Sequence, residues 1–328
     1  MKKYVLEVLE GQSNSAGSKA KGDVSYFLNQ DGFQSIAIKI PKNKIKRIVF
    51  GKLLVFKALK NIKNGIFVFQ YPMYSRVFSN YVIDFLRKRK NIKSILVVHD
   101  VESLRLNKDE KNAVNKEISF FNKFDKLVSH NRNMTDWLVE NGLKIRVENL
   151  EIFDYQNPIE LSKECFERSL TFAGNLDKSK FLKQIKIQSD IYLMGPVTDR
   201  EFPENVHYKG VYTPEEVPTQ LKKGFGLVWD GNSLANCDGI YGEYMRFNNP
   251  HKVSLYLSSG LPVIIWNQSA MADFIIKNKL GLAIDSLNDL DEALEQITKE
   301  KYSEFKRNVD QIAIGLRSGK YIKKAVSN

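Results

Sequence analysis

Apolar residues follow two rhythms along this chain. Short runs closed by polar or glycine-containing turns are the trace of buried strands, and longer stretches in which apolar residues return every three or four positions are the trace of helices. In the first half, strand-like runs fall at 4–9, 35–40, 66–70, 94–99, 126–129 and 145–148. Helical spacing fills the gaps at 22–28, 44–62, 75–89, 109–121 and 133–140. Strands separated by helices require crossover connections, which give a parallel sheet covered on both faces. A Rossmann-like unit follows.

The alternation lapses at FDYQNPIELS, residues 153–162, a polar stretch containing proline that reads as a linker. It then resumes, with strands expected at 170–173, 191–194, 207–209, 226–229, 261–266 and 282–284. Helices are expected at 180–188, 214–222, 251–258, 271–277, 290–298 and 302–317. The pattern therefore predicts an α/β protein of two Rossmann-like domains facing across a cleft, where ligands gather at the carboxyl ends of the strands. The expected boundaries are 1–152, a linker at 153–162, 163–317, and a tail at 318–328 packing back on the N-terminal domain.

A length of 328 residues suits two cores. Cys165 and Cys237 lie far apart without CxxC spacing, so neither zinc nor dithiol chemistry is indicated. Glu7 and Glu10 interrupt the first apolar run, against a secretory signal, and no run reaches the eighteen or so apolar residues of a membrane span. The expected location is the cytoplasm, with room for peripheral attachment at the inner face of the membrane.

Charge changes the picture more. The formal net charge is +12, and no acidic residue lies between Asp31 and Asp84. Lys39, Lys42, Lys44, Lys46, Arg47, Lys52, Lys57, Lys60 and Lys63 crowd that window. Ile45, Ile48, Val49, Leu53, Phe56 and Leu59 form a helical stripe among them, expected to pack on the sheet, while the basic face of 44–63 is suited to anionic headgroups. No nucleic-acid-binding signature accompanies the charge, so nucleic acid is not an expected partner.

Candidate chemistry lies in the loops after strands. GQSNSAGSKAKG, residues 11–22, brings glycine and small hydroxyl residues to the end of the first strand, where Ser13, Asn14 and Ser15 are candidate ligand contacts; it matches neither GxGxxG nor a P-loop. SILVVHDVESL delivers His99 and Asp100 to the carboxyl edge of the sheet. Asp100 is the first candidate for a general base and His99 the second, against a helix N-cap and a structural hydrogen bond as their plain alternatives. Gly174, Asn175 and Lys178 follow another strand. Tyr212 and Thr213 precede a helix, and Thr213 with Glu216 also has the spacing of a capping box. The long polar segment after Trp229 offers Asp230, Asp238, Tyr244, Arg246 and Asn249 as hydrogen-bond partners for a sugar.

The stretch NNPHKVSLYLSSGLPVIIW, residues 248–266, is the most informative. Pro250 suits a helix start, which puts His251 and Lys252 in the first turn, where free amides and the helix dipole attract anions. A lysine is disfavoured there by the dipole unless an anion joins it. Val253, Leu255, Tyr256 and Leu257 would hold the helix in the core, with Gly260 ending it. The pattern is that of a diphosphate site.

The run CDGIYGEYMRFNNPHKVSLYLSSGLPVIIW, residues 237–266, resembles bacterial β-1,6-galactofuranosyltransferases and the related glucosyltransferases that extend glycans on serine-rich adhesins, both of the GT-B fold. GQSNS at 11–15, HD at 99–100, FAGN at 172–175, YTPEE at 212–216 and FGLVW at 225–229 extend the resemblance over most of the chain. It implies that Lys252 and Tyr212 contact a nucleotide diphosphate and that Lys178 and the loop around Ser15 complete the donor site; an arginine stands near the place of Lys178 in the adhesin enzymes. It also implies transfer without a metal or other cofactor, and the single DxD, Asp289-Leu290-Asp291, reads as a helix start. The NNPHK form leans toward the galactofuranosyl branch.

The expected activity is inverting transfer of a hexosyl unit from a UDP-sugar to a glycan, glycolipid or glycoprotein, with galactofuranose ahead of glucose or galactose. The C-terminal domain would bind the donor and the N-terminal domain the acceptor, and homo-oligomerisation is left open. The alternative is a catalytically silent subunit that recognises glycans for a partner enzyme. A sugar epimerase is disfavoured by the missing glycine fingerprint.

Overall fold

The computed structural model describes residues 1–8, 16–73, 75–161 and 163–327. The chain divides into two compact units, Met1–Glu151 together with Tyr321–Asn328, and Ile152–Lys320.

The first unit is built on six strands: β1 (Lys3–Val8), β2 (Gln34–Ile38), β3 (Gly65–Tyr71), β4 (Ile92–Val98), β5 (Lys126–Ser129) and β6 (Arg146–Asn149). They lie in the order β2-β1-β3-β4-β5-β6, with every neighbouring pair parallel. The central strands are buried on both faces, which is why GIFVFQY and SILVV read as near-continuous apolar runs. The tail forms a helix, Lys320–Ser327, in this unit. Its last turn is held by Lys126, a fully buried lysine whose ammonium donates to the carbonyls of Ala325 and Val326 at 2.8 and 3.0 Å. Burial pushes that ammonium down to about 8, and the two carbonyls replace part of the water it lost.

One helix departs from expectation. In Lys44–Leu59 the inward row is Gly51, Val55 and Leu59, while Ile45, Ile48, Val49, Phe50, Leu53 and Phe56 face outward, between 49 and 71% exposed. The reason is the neighbour. This helix packs beside the helix Arg76–Arg87, and a Cβ on Gly51 would stand 2.8 Å from the Tyr81 ring and 3.1 Å from that of Phe78. Only a narrow row of residues fits so close an approach, and the broad apolar stripe turns away from the core.

The second unit carries β7 (Leu170–Ala173), β8 (Ile191–Met194), β9 (Val206–Gly210), β10 (Phe225–Val228), β11 (Val263–Trp266) and β12 (Gly281–Ile284). Their order is β12-β11-β10-β7-β8-β9, again all parallel. The chain direction across the sheet reverses between β7 and β10, and that switch point opens a crevice at the strands' carboxyl ends. The segment expected as a linker is grouped with this unit, where Phe153, Asp154, Tyr155 and Asn157 are buried. Asn157 donates to the Ser258 carbonyl and to Ser259 Oγ, so its polarity serves internal hydrogen bonds rather than solvent. The helix expected at 180–188 shrinks to a single 3₁₀ turn, Lys180–Lys183, and that at 214–222 to Val217–Gln220. Among the described residues, no helix is long and apolar enough to cross a membrane.

Candidate active site

The helix His251–Ser258 connects β10 to β11, so it runs back along the sheet with its first turn at the carboxyl edge. Val253 to Ser258 are all buried, as in a helix enclosed on every side. Three contacts fix its direction. Ser254 Oγ donates to the Phe153 carbonyl at 2.7 Å, Arg317 Nε donates to the Ser258 carbonyl at 2.7 Å, and Gly260, at φ +86°, turns the chain toward β11. Tyr256 sets its height on the sheet. The Tyr256 ring lies so close over β10 that a Cβ on Gly226 would be 2.2 Å from it, and its hydroxyl accepts the Ala173 amide of β7 at 2.8 Å. One side chain thus ties the helix to both strands that flank the switch point.

Lys252, one turn above Tyr256, is placed by the same geometry. Its ammonium lies 4.1 Å from the centre of the Phe172 ring and 3.7 Å from Asp230 Oδ1. A Cβ on Gly174 would stand 3.1 Å from Lys252 Cε, so glycine leaves the room this side chain uses. The side chain keeps a fifth of its surface open, enough to meet a ligand without being freely solvated. A cation, a helix start with its dipole and a glycine-lined strand end therefore converge at the switch point, which is the chemistry of an anion site.

The other expected donor contacts divide. Lys178 is exposed and lies over the Tyr241 ring at 4.9 Å, within 3.4 Å of its hydroxyl, joining the loop after β7 to the helix Gly239–Tyr244. Asn175 caps that loop, its side-chain oxygen accepting the Lys178 amide at 3.2 Å. The Tyr212 hydroxyl donates to the Lys209 carbonyl at 3.0 Å, and Asn249 is buried beside the helix start.

Four residues have structural occupations. Thr213 and Glu216 form the reciprocal capping pair, amide to side chain in both directions, at 2.9 and 3.3 Å. Asp238 clasps its own loop by accepting the amides of Asn232 and Ser233, because the turn at Gly231 brings them together. Arg246 pairs with Glu243, donates to Gln268 and lies 4.6 Å above the Trp266 ring. The His251 ring lies tilted against Tyr155 at 4.9 Å and meets Phe153 edge-on at 5.9 Å, fastening the helix start to the preceding segment. Ser13, Asn14 and Ser15 lie outside the described residues.

In the first unit, His99 and Asp100 stand at the end of β4. His99 Nε2 donates to Gln70 Oε1 at 2.8 Å, and the Gln70 amide in turn reaches Ser25 Oγ at 2.9 Å. Arg105 Nη1 lies 3.0 Å from Asp100 Oδ2, and the cap of the following helix, Glu102–Leu106, is Val101, so Asp100 is not that cap. Glu117 organises this corner. Its buried carboxylate accepts the amides of Glu102 and Ser103 at 3.1 and 2.7 Å and the Tyr71 hydroxyl at 2.5 Å. Burial, and then the charge of Glu117, push the Tyr71 hydroxyl far up, so it stays a donor. Sequence reading passed over Glu117, yet it shares the helical face of Val114, Ile118 and Phe121, and a carboxylate on an apolar stripe is a detectable signal. Tyr256 and Tyr241 were also passed over as site residues, since their roles depend on contacts distant in sequence.

The model of the glucosyltransferase 3-like N-terminal domain matches residues 2–152, and that of the glucosyltransferase 3-like C-terminal domain matches residues 170–328. The chain is similar to the β-1,6-galactofuranosyltransferase WbbI of Escherichia coli K12, with 29% identity over 98% of this chain and 96% of the relative. It is similar as well to glucosyltransferase 3 of Streptococcus gordonii, with 26% identity over 99% and 97% of the two chains. In structure it superposes on a trehalose-6-phosphate protein from E. coli bound with UDP-2-fluoro glucose, at a TM-score of 0.61 and 9% identity, covering 98% of each chain. Matched in both halves and carrying two Rossmann-like sheets, the chain belongs to the glucosyltransferase 3-like family of GT-B glycosyltransferases.

Proposed function

We propose that this glycosyltransferase moves a hexosyl unit from a UDP-sugar to a glycan, glycolipid or glycoprotein, with inversion at the anomeric carbon. Galactofuranose is the favoured sugar and glucose or galactose the next. The observation that carries the reading is the placement of Lys252: an ammonium over Gly174 and Phe172, at the first turn of a buried helix, beside the switch point of the second sheet. A diphosphate is the anion whose charge and size suit such a turn. The structural neighbour bound with UDP-2-fluoro glucose and the galactofuranosyl and glucosyl relatives agree with a UDP-sugar donor.

In this reading an acceptor hydroxyl attacks the anomeric carbon as the bond from that carbon to the β-phosphate oxygen breaks. The hydroxyl proton passes to Asp100, whose carboxylate is oriented by Arg105, and the charge released on UDP is met by Lys252 and the helix amides. Lys178 and Tyr212 complete the donor contacts, with Gly174, Asn175 and Asn249 shaping the loop ends. Thr213, Asp238, Arg246 and His251 support the site from within the fold.

The test is mass spectrometry of products after incubation with UDP-galactofuranose, UDP-glucose and UDP-galactose against a panel of glycan acceptors. The expected result is one hexosyl increment on an acceptor from one donor. Normal UDP binding without product from any donor would instead support a silent recognition subunit.

A further inference from the structure

The helix Lys44–Leu59 has a second face that the donor chemistry does not use. Six of the sixteen large hydrophobic side chains exposed among the described residues sit on this single helix. At 100° per residue, Ile45, Val49, Leu53 and Phe56 fall within one outward sector, with Ile48 on one side of it and Phe50 on the other. The helix is held from behind by Gly51, Val55 and Leu59, so the outward stripe can be covered without disturbing the core. Asn43 caps its first turn, accepting the amides of Ile45 and Lys46 at 2.8 and 3.2 Å.

The charges say what covers it. Seven lysine and arginine residues lie between positions 44 and 63, and no acidic residue occurs from 32 to 83. Lys46 and Lys57 lie along one edge of the stripe, between Leu53 and Phe50, and Lys52, within it, leans over the Tyr81 ring at 5.6 Å. A second copy docked by twofold symmetry would set this basic rim against itself, because such an interface repeats the same patch on both sides. An anionic bilayer accepts both parts at once, the apolar stripe among acyl chains and the lysines among headgroups. We propose that the helix Lys44–Leu59 is an interfacial membrane anchor that lies in the plane of an anionic lipid surface.

The test is co-sedimentation of the full chain with vesicles of phosphatidylcholine alone and of equimolar phosphatidylcholine and phosphatidylglycerol. Two double variants are run beside it, Leu53→Ser with Phe56→Ser and Lys46→Glu with Lys57→Glu, together with light scattering for molar mass and thermal unfolding as a fold control. The wild type should bind the mixed vesicles at least about tenfold more tightly than phosphatidylcholine, since each lysine near an anionic surface contributes about fivefold. Both variants should lose about tenfold or more of that binding while keeping the wild-type melting temperature. No preference for the anionic vesicles, or binding that survives Leu53→Ser with Phe56→Ser, would overturn the proposal. So would a lower molar mass in that variant with vesicle binding unchanged, which would show a second copy on the stripe.

Discussion

Replacing Lys252 by methionine removes the charge while leaving the aliphatic stem against Phe172, so the change isolates electrostatics from packing. An ammonium about 4 Å from one anionic oxygen gains about 4 kcal/mol at an effective dielectric of about 20. Asp230, at 3.7 Å, already engages part of that charge, and a fifth of the side chain is open to screening water. A net loss of about 2 kcal/mol remains, which is about a thirtyfold rise in Kd. Titration calorimetry should show UDP weakened by about that factor and uridine, which has no phosphate, unaffected. A Lys252→Met protein that melts like the wild type and binds UDP within about twofold of it would refute the placement of diphosphate at this helix start.

Three further outcomes follow from the same geometry. Gly174→Ala puts a methyl group 3.1 Å from Lys252 Cε and 3.5 Å from Nζ, so it should displace the ammonium and weaken UDP several-fold in calorimetry, with little change in melting temperature because the lysine end can move. Asp100→Asn should lower the transfer rate by about a hundredfold or more in a steady-state assay while UDP affinity stays the same; full activity would remove Asp100 as the base. His130 is fully buried, donates to the Val98 carbonyl and is held down to about 4 by burial, below its ordinary value of 6.5. Between those values the unfolded chain binds the proton more readily, so its contribution is complete above about pH 6.5 and is lost as pH falls toward 4, by up to about 3 kcal/mol. Urea unfolding at pH 7.5 and 4.5 should show that loss, and His130→Asn should reduce it.

Much of the architecture is legible in one dimension because parallel strands buried on both faces must be apolar throughout, with polar turns between them. The strands Lys126–Ser129, Leu170–Ala173 and Ile191–Met194, and the helix His251–Ser258, begin and end where the apolar pattern places them. The candidate site was legible where local chemistry suffices, as with Lys252 beside Pro250 at a helix start. It was illegible where a polar residue's partner is remote or the local turn had more than one use for it. Asp238 and Arg246 read as hydrogen-bond partners for a sugar, and in the fold Asp238 accepts amides of its own loop while Arg246 pairs with Glu243 and donates to Gln268. Glu117, which the sequence reading passed over, accepts the amides of Glu102 and Ser103 from another helix and organises that corner of the first unit.

The sequence by itself determined that two Rossmann-like sheets form, that a helix opens at Pro250 with a lysine in its first turn, and that residues 44–63 are basic and apolar together. These depend on periodicity, turn chemistry and charge, which act between near neighbours. Tertiary structure decided that β10 lies beside β7 and that Tyr256 locks the helix across both, so that Lys252 rests over Gly174. It also decided that the stripe of Lys44–Leu59 faces out, because the approach of Tyr81 and Phe78 to Gly51 leaves space for only the narrow row inside. Strand order and the facing of a helix depend on which surfaces remain to be buried once every element is present, and no local stretch of chain carries that information.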